Sequence, residues 1–209
     1  MPSTFSEQEI NFDTNVISNF FKNTGWTAAV KGSSPHRYVE IFNANHTGVT
    51  IFEYYWCHFY IHTDGKSHGE IIKNTDSLTR YWAQLSDDNS VLYIHDNESS
   101  LNSNNGNRSL IVAEDINGKG WVMINNTYYD FYGGYSLNTT VTPLPSVPYV
   151  LSNAVTPMGV PFKGLYKVEF ATAFTPNSSV IDINGVPYRL VSAADGQSVP
   201  SFAFRVAKP

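Results

Sequence analysis

Cysteine is almost absent: Cys57 is the only one in 209 residues. No disulfide can form within the chain, so a core must hold the fold, and synthesis in a reducing cytoplasm is expected. Charge is also scarce. Asp, Glu, Lys and Arg make up 15%, against the ~25% usual for soluble domains. The formal net charge is -5 and no stretch is rich in Lys or Arg. A nucleic-acid binder would show a basic stripe, so nucleic acid is not an expected partner. No apolar run approaches the ~20 residues that span a bilayer. Residues 1–13, MPSTFSEQEINFD, lack the basic and apolar regions of an export signal. Neither a membrane nor secretion is expected. P-loop, G-x-S-x-G, H-E-x-x-H and G-x-G-x-x-G motifs are all missing.

Asn, Ser and Thr supply the polarity, and aromatic residues reach 14%. Asparagine and glycine serve turns, which suits β structure. N-x-S/T triplets at Asn45, Asn97, Asn138 and Asn177 arise by chance in so Asn-rich a chain and are not expected to carry glycans.

Asp13 is placed to cap a helix whose apolar stripe is Val16, Ile17, Phe20 and Phe21, with Gly25 as its stop. Strand patterns begin at Trp26. Between Val49 and His62 a long alternation separates an odd, core-like face from an even face of Phe52, Tyr54, Trp56, His58, Tyr60 and His62. As one strand this run exceeds ~40 Å at ~3.3 Å per residue, so a bulge or bend is expected near its middle. Tyr81–Leu85 reads as a strand, and residues 90–132 as an antiparallel meander around Asn117-Gly118. Residues 97–107 read as an exposed loop. Five prolines in 141–161 indicate an extended connection poor in regular structure. Short strands follow, with Asn184-Gly185 as a further hairpin turn.

The expected fold is mainly β: an antiparallel sandwich or strongly bent sheet with one N-terminal helix and a small C-terminal β segment. The corresponding divisions are an arm and helix at 1–25, a main β domain at 26–140, a Pro-rich connection at 141–160 and a β segment at 161–209.

Each candidate centre of chemistry meets a physical objection. His58 and His62 share a strand face with Asp64, but four residues along a strand span ~13 Å, too far for one zinc ion. In Asp115-Ile116-Asn117-Gly118-Lys119-Gly120 a lysine takes a calcium-ligand position, and Asn126 stands where the bidentate Glu is needed. Glu53 lies alone on the apolar face, where it could serve a glycan hydrolase only with a second carboxylate ~5–9.5 Å away. Pairing with Arg37, Arg80 or Arg108 is the plainer reading. No catalytic, metal or cofactor site is therefore expected. The aromatic even face, and Tyr128, Tyr129 and Tyr132 beside Gly133-Gly134, are the expected contact surfaces.

Three segments carry a resemblance. Thr24-Gly25-Trp26-Thr27 leads toward Arg37-Tyr38. The segment Arg80-Tyr81-Trp82-Ala83-Gln84-Leu85-Ser86-Asp87-Asp88-Asn89 continues to Ile94. Gly159-Val160-Pro161-Phe162-Lys163-Gly164-Leu165-Tyr166 precedes Phe202-Ala203-Phe204-Arg205. In this order the chain resembles virion proteins of tailed bacteriophages. The resemblance implies a tail, baseplate or capsid-surface subunit, made in the host cytoplasm and located in the virion. Its partners would be other virion proteins and copies of itself, and it implies no cofactor and no catalytic residues. A lectin-like module binding a host-surface glycan is the alternative function.

Overall fold

The computed structural model describes residues 7–53, 57–74, 81–96, 109–124, 127–137, 149–171, 180–191 and 201–207. Strand β1 (Gln8–Ile10) precedes helix α1 (Thr14–Phe21). Asp13 Oδ1 accepts from the backbone N–H of Asn15 at 2.8 Å and of Val16 at 3.2 Å, satisfying two donors that the first turn leaves open. Ile17 and Phe21, four apart, are buried. Beyond the helix the Thr24 hydroxyl donates to the Phe21 carbonyl at 2.7 Å.

Five strands follow: β2 (Thr27–Lys31), β3 (Tyr38–Phe42), β4 (Gly48–Phe52), β5 (Cys57–Thr63) and β6 (Lys66–Asn74). They form one antiparallel sheet in chain order. The Val49–His62 run is therefore a pair of antiparallel neighbours, and the single bent strand expected from its alternation is corrected. Thr50 opposes Tyr60 and Gly48 opposes His62. Even residues thus face even residues, and the two-faced alternation survives the reversal. Residues 53–56, Glu-Tyr-Tyr-Trp, hold no Gly, Pro, Asn or Asp, so nothing in them marks a turn.

Strands β7 (Tyr81–Leu85), β8 (Val91–Asp96), β9 (Ser109–Glu114), β10 (Gly120–Ile124), β11 (Thr127–Tyr129) and β12 (Gly134–Ser136) form the expected meander, with β1 added beside β7. Asn117-Gly118 lies in the β9–β10 turn. The Asp115 carboxylate accepts there from the N–H groups of Asn117 at 2.9 Å and Lys119 at 3.1 Å. Trp121 Nε1 donates to its other oxygen at 3.3 Å.

The third sheet holds β13 (Tyr149–Val155), β14 (Pro161–Ala171), β15 (Val180–Ile183), β16 (Val186–Val191) and β17 (Phe202–Arg205), in the order β13-β14-β17-β16-β15. Asn184 and Gly185 both have positive φ, as a two-residue type I′ turn requires. Tyr149–Val155 falls in the segment expected to be poor in regular structure. It forms a strand all the same, because its seven residues include no proline and can keep their N–H groups for the ladder with β14. Residues 97–107 lie outside the described residues.

The sheets stack in three layers, with the meander in the middle. Leu92, Ile94, Leu110, Val112, Val122 and Ile124 pack with Ile17, Phe21, Val39, Ile41, Val49, Ile51 and Ile61 in one core. Their odd-numbered neighbours, Val91, Tyr93, Ile111, Ala113, Trp121 and Met123, pack with Phe162, Leu165, Val191, Phe202 and Phe204 in a second. A sheet covered on both faces reads as unbroken apolar runs, as Val91–Ile94 and Trp121–Ile124 do. The fold is mainly β and antiparallel throughout its described pairings, with the one expected helix.

Candidate functional site: the outer face of the first sheet

In β3–β5 the odd residues go to the core and the even residues to the outside, while β2, which pairs Thr27 with Phe42, gives Ala28 and Val30 to the core and its odd residues to the outside. Cross-strand register arranges that outer face in rows. Lys31, Tyr38 and Phe52 form one, Ala29, Glu40, Thr50 and Tyr60 the next, and Thr27, Phe42, Gly48 and His62 the third. Tyr38, Phe42, Phe52, Tyr60 and His62 are all half-buried. They pack in two groups. Tyr38 stacks on Phe52 at 5.4 Å between centroids, Tyr60 meets Phe52 edge-on at 5.2 Å, and His62 meets Phe42 edge-on at 5.1 Å. Such pairs contribute ~0.5–1.5 kcal/mol each beyond their area.

On this face Lys31 pairs with Glu40, and in β6 Glu70 lies opposite Tyr60 and Lys73 opposite His58. His62 Nε2 lies 3.0 Å from the Thr50 hydroxyl. Burial pushes the His62 imidazole below its ordinary value, against the pull of the Glu40 carboxylate. Between those charges the surface offers ring edges, hydroxyls and the His62 imidazole. Of the expected contact residues, Phe52, Tyr60 and His62 lie together here. His58 belongs to β5, but its side chain, like Tyr54 and Trp56, lies outside the described residues.

The tyrosines of the Gly133-Gly134 region are not brought together. Adjacent residues of β11 face opposite layers, so Tyr128 packs with Trp121, Phe162 and Phe202 while Tyr129 packs against the first core. Burial raises the Tyr128 hydroxyl to about 12. Tyr132 is 77% exposed, beside the Phe131 ring at 5.3 Å.

Beneath Tyr132 lies a charge cluster that the sequence did not signal. The Asp130 side chain is fully buried. Its Oδ1 accepts from the N–H of Tyr132 at 2.8 Å and of Gly133 at 3.1 Å. Lys119 Nζ lies 2.5 Å from its Oδ2 and 4.7 Å from the Trp121 ring centroid. Burial opposes ionisation of Asp130, but Lys119 and the two N–H donors outweigh it and hold the carboxyl below its ordinary value. Nearby, Asp64 Oδ1 accepts from the Gly120 N–H at 3.2 Å. Among the described residues no group of three His, Cys, Asp or Glu side chains is placed to hold a metal.

Glu53 is paired as the plainer reading expected. Both its oxygens meet the Arg37 guanidinium, Nε donating to Oε2 at 2.6 Å and Nη2 to Oε1. That pairing holds its carboxyl below the ordinary value despite some burial, whereas a general acid needs the reverse. The Asn45 amide donates to Glu114 Oε1 at 2.8 Å and to the Gly118 carbonyl at 3.1 Å. A glycan on that nitrogen would leave it a single N–H and so remove at least one of the two bonds. Asn97, Asn138 and Asn177 lie outside the described residues.

The segments that carry the resemblance converge on one turn, Ser86–Ser90. Trp26 Nε1 donates to the Asn89 carbonyl at 2.8 Å. The Ser90 hydroxyl donates to the Lys163 carbonyl at 3.3 Å, next to Gly164, where an added Cβ would come within 2.3 Å of that hydroxyl. The Asp87 N–H donates to the Arg205 carbonyl at 3.0 Å, and the two side chains form an ion pair at 2.9 Å. The turn ties all three layers together, so these residues have a structural task in common. A cleft of about 470 Å³ opens beside it, lined in part by Glu7, Asn19, Phe20, Asp87 and Asn89. No protein-family model, curated protein or solved structure matches the chain.

Proposed function

We propose that the chain is a structural subunit that acts through protein–protein contacts, and that its assembly is a bacteriophage virion, as the motif resemblance implies. The observation that supports the reading is the outer face of the β2–β6 sheet. It presents five half-buried aromatic or imidazole rings in two packed groups, Tyr38–Phe52–Tyr60 and Phe42–His62. Interface cores are enriched in aromatics and depleted in charge.

The test is incorporation. Particles made with the native chain should contain it in fixed stoichiometry by quantitative mass spectrometry. Particles made with Tyr60→Glu, a change at a half-exposed ring, should contain much less of it at equal expression. Absence of the native chain from particles, or undiminished incorporation of the variant, would refute the role.

A glycan-binding reading draws on Tyr132, whose exposed ring beside Phe131 could stack on a sugar. It predicts saturable binding on a glycan array that Tyr132→Ala abolishes.

A further inference from the structure

A cleft of about 230 Å³ lies between the middle and third layers, beside the second core. Tyr128 of β11 and Ser136 of β12 line it from the middle sheet. Val155 of β13, Lys167 of β14 and Phe202 of β17 line it from the third, with Thr156 just beyond β13. Lys167 and Phe202 stand opposite each other in the β14–β17 ladder. Exposure grades the wall. Phe202 is at 2% and Tyr128 at 9%, whereas Val155 is at 44% and the Lys167 side chain at 37%. The cleft therefore has a buried inner end and an open mouth. A dry cavity of ~150 Å³ takes benzene, so this one has room for a ring and a polar group.

Tyr128 shows what the cleft lacks. Its ring is held by Trp121, Phe162 and Phe202. Its hydroxyl has no such support: burial alone raises it, with neither a hydrogen bond nor a charge in the balance. A polar group so buried normally has a partner, and among the described residues this one has none. The rest of the wall is of the same kind. Its polar side chains are Tyr128, Ser136, Thr156 and Lys167. Each hydroxyl can donate, and an ammonium does nothing else. Thr156 Oγ1 already accepts from the Val160 N–H at 3.2 Å, which leaves its own hydrogen to give. No carboxylate or amide side chain lines the cleft. Lys167 has a distant counter-charge, Glu169 Oε2 at 3.4 Å, and the other oxygen of that carboxylate accepts from the Ser152 hydroxyl at 2.7 Å.

We propose that this cleft binds a small organic acid. The carboxylate accepts from the Tyr128 hydroxyl and the Lys167 ammonium, and the apolar body lies against Phe202 and Val155. Hydrogen bonds to an ionised acceptor are about twice as strong as neutral ones. Lys167 also supplies the counter-charge that a partly buried carboxylate needs. A cationic ligand would meet the ammonium instead, and a neutral one would leave it to Glu169. The site is separate from the aromatic outer face and from Tyr132, and stands or falls without either.

The test is isothermal titration calorimetry of the full chain with benzoate, and with benzamide as its neutral counterpart. Benzoate should bind saturably in the millimolar range or tighter, and benzamide about tenfold more weakly. Tyr128→Phe keeps the ring and Lys167→Met keeps an unbranched stem, and each should weaken benzoate by about tenfold, as loss of a hydrogen bond to a charged group does. Glu169→Gln retains an acceptor for Ser152 and removes the competing charge, so it should strengthen benzoate binding. Should Tyr128→Phe fail to fold, NMR of the tyrosine-labelled native chain gives a second readout, because benzoate should shift the Tyr128 Cζ resonance. No saturable binding of benzoate, benzamide bound equally well, an affinity indifferent to Tyr128→Phe or to Lys167→Met, weaker binding by Glu169→Gln, or an unmoved Tyr128 resonance would each overturn the proposal.

Discussion

Replacing Lys119 by Met tests whether the buried Asp130 carboxylate depends on one cation. Methionine keeps an unbranched stem against Trp121 and removes the charge. Removing one partner of a fully buried ion pair costs ~3–5 kcal/mol. Here the Lys119 side chain is 31% exposed, and Asp130 keeps the N–H groups of Tyr132 and Gly133. Solvent screening and those two donors reduce the expected loss to ~1–3 kcal/mol. The pH dependence carries the sign. The folded-state carboxyl is depressed, so the stability it confers is present above the ordinary Asp value and is lost as pH falls through the lower folded value. Without Lys119 the folded value rises, and a protonated Asp130 needs no counter-charge. Urea denaturation should therefore show the full deficit of Lys119→Met at neutral pH and a much smaller one near ~pH 3. Adding Asp130→Asn, which keeps the Oδ1 acceptor, should restore most of the neutral-pH loss. A deficit below ~0.5 kcal/mol, one that is the same at both pH values, or no recovery in the double variant would refute the reasoning.

Gly120→Ala should destabilise by ~1–3 kcal/mol, as overpacking does, because an added Cβ would fall 1.8 Å from Thr47 Oγ1 at a fully buried threonine. Thermal unfolding should register this as a fall of ~2–4 °C per kcal/mol, and an unchanged midpoint would contradict the close approach. Trp26→Phe keeps a ring in the core but deletes the bond to the Asn89 carbonyl. A loss of ~1–2 kcal/mol in denaturant titration is expected, and Asn89→Ala should not reproduce it through that bond, since the acceptor is backbone.

The local devices of this fold were legible because each has its own chemistry. Asp13 as a cap, Asn117-Gly118 and Asn184-Gly185 as turns, and the even-to-even facing of Gly48 and Thr50 with His62 and Tyr60 all appear where residue type and spacing put them. The reversal inside 49–62 was hidden because a connection that preserves parity leaves the alternation intact. Asp64-Gly65 carries the same hairpin signal as the other two turns and has both φ values positive. The layer order was legible only in part. Val91–Ile94 and Trp121–Ile124 are apolar on both faces, which marks a central sheet, but which strands cover each face is decided by pairings far apart in the chain. The Lys119–Asp130 contact and the meeting of Trp26, Asn89, Gly164 and Arg205 at one turn are of that kind, and no local pattern announces them.

The double-sided central sheet also constrains how the chain emerges from the ribosome. Synthesis delivers α1 and the β2–β6 sheet before the meander, so the even face of β8–β10 finds its cover waiting. The odd face, with Tyr93, Ile111 and Trp121, has no cover until the third sheet exists. In that sheet β17 lies between β14 and β16, though it comes last in chain order among the described strands. A nascent chain that has completed β12 thus displays a broad sticky surface for the time needed to translate some seventy further residues. Until Phe202 and Phe204 arrive, this intermediate is vulnerable to clumping and is a natural client for a chaperone.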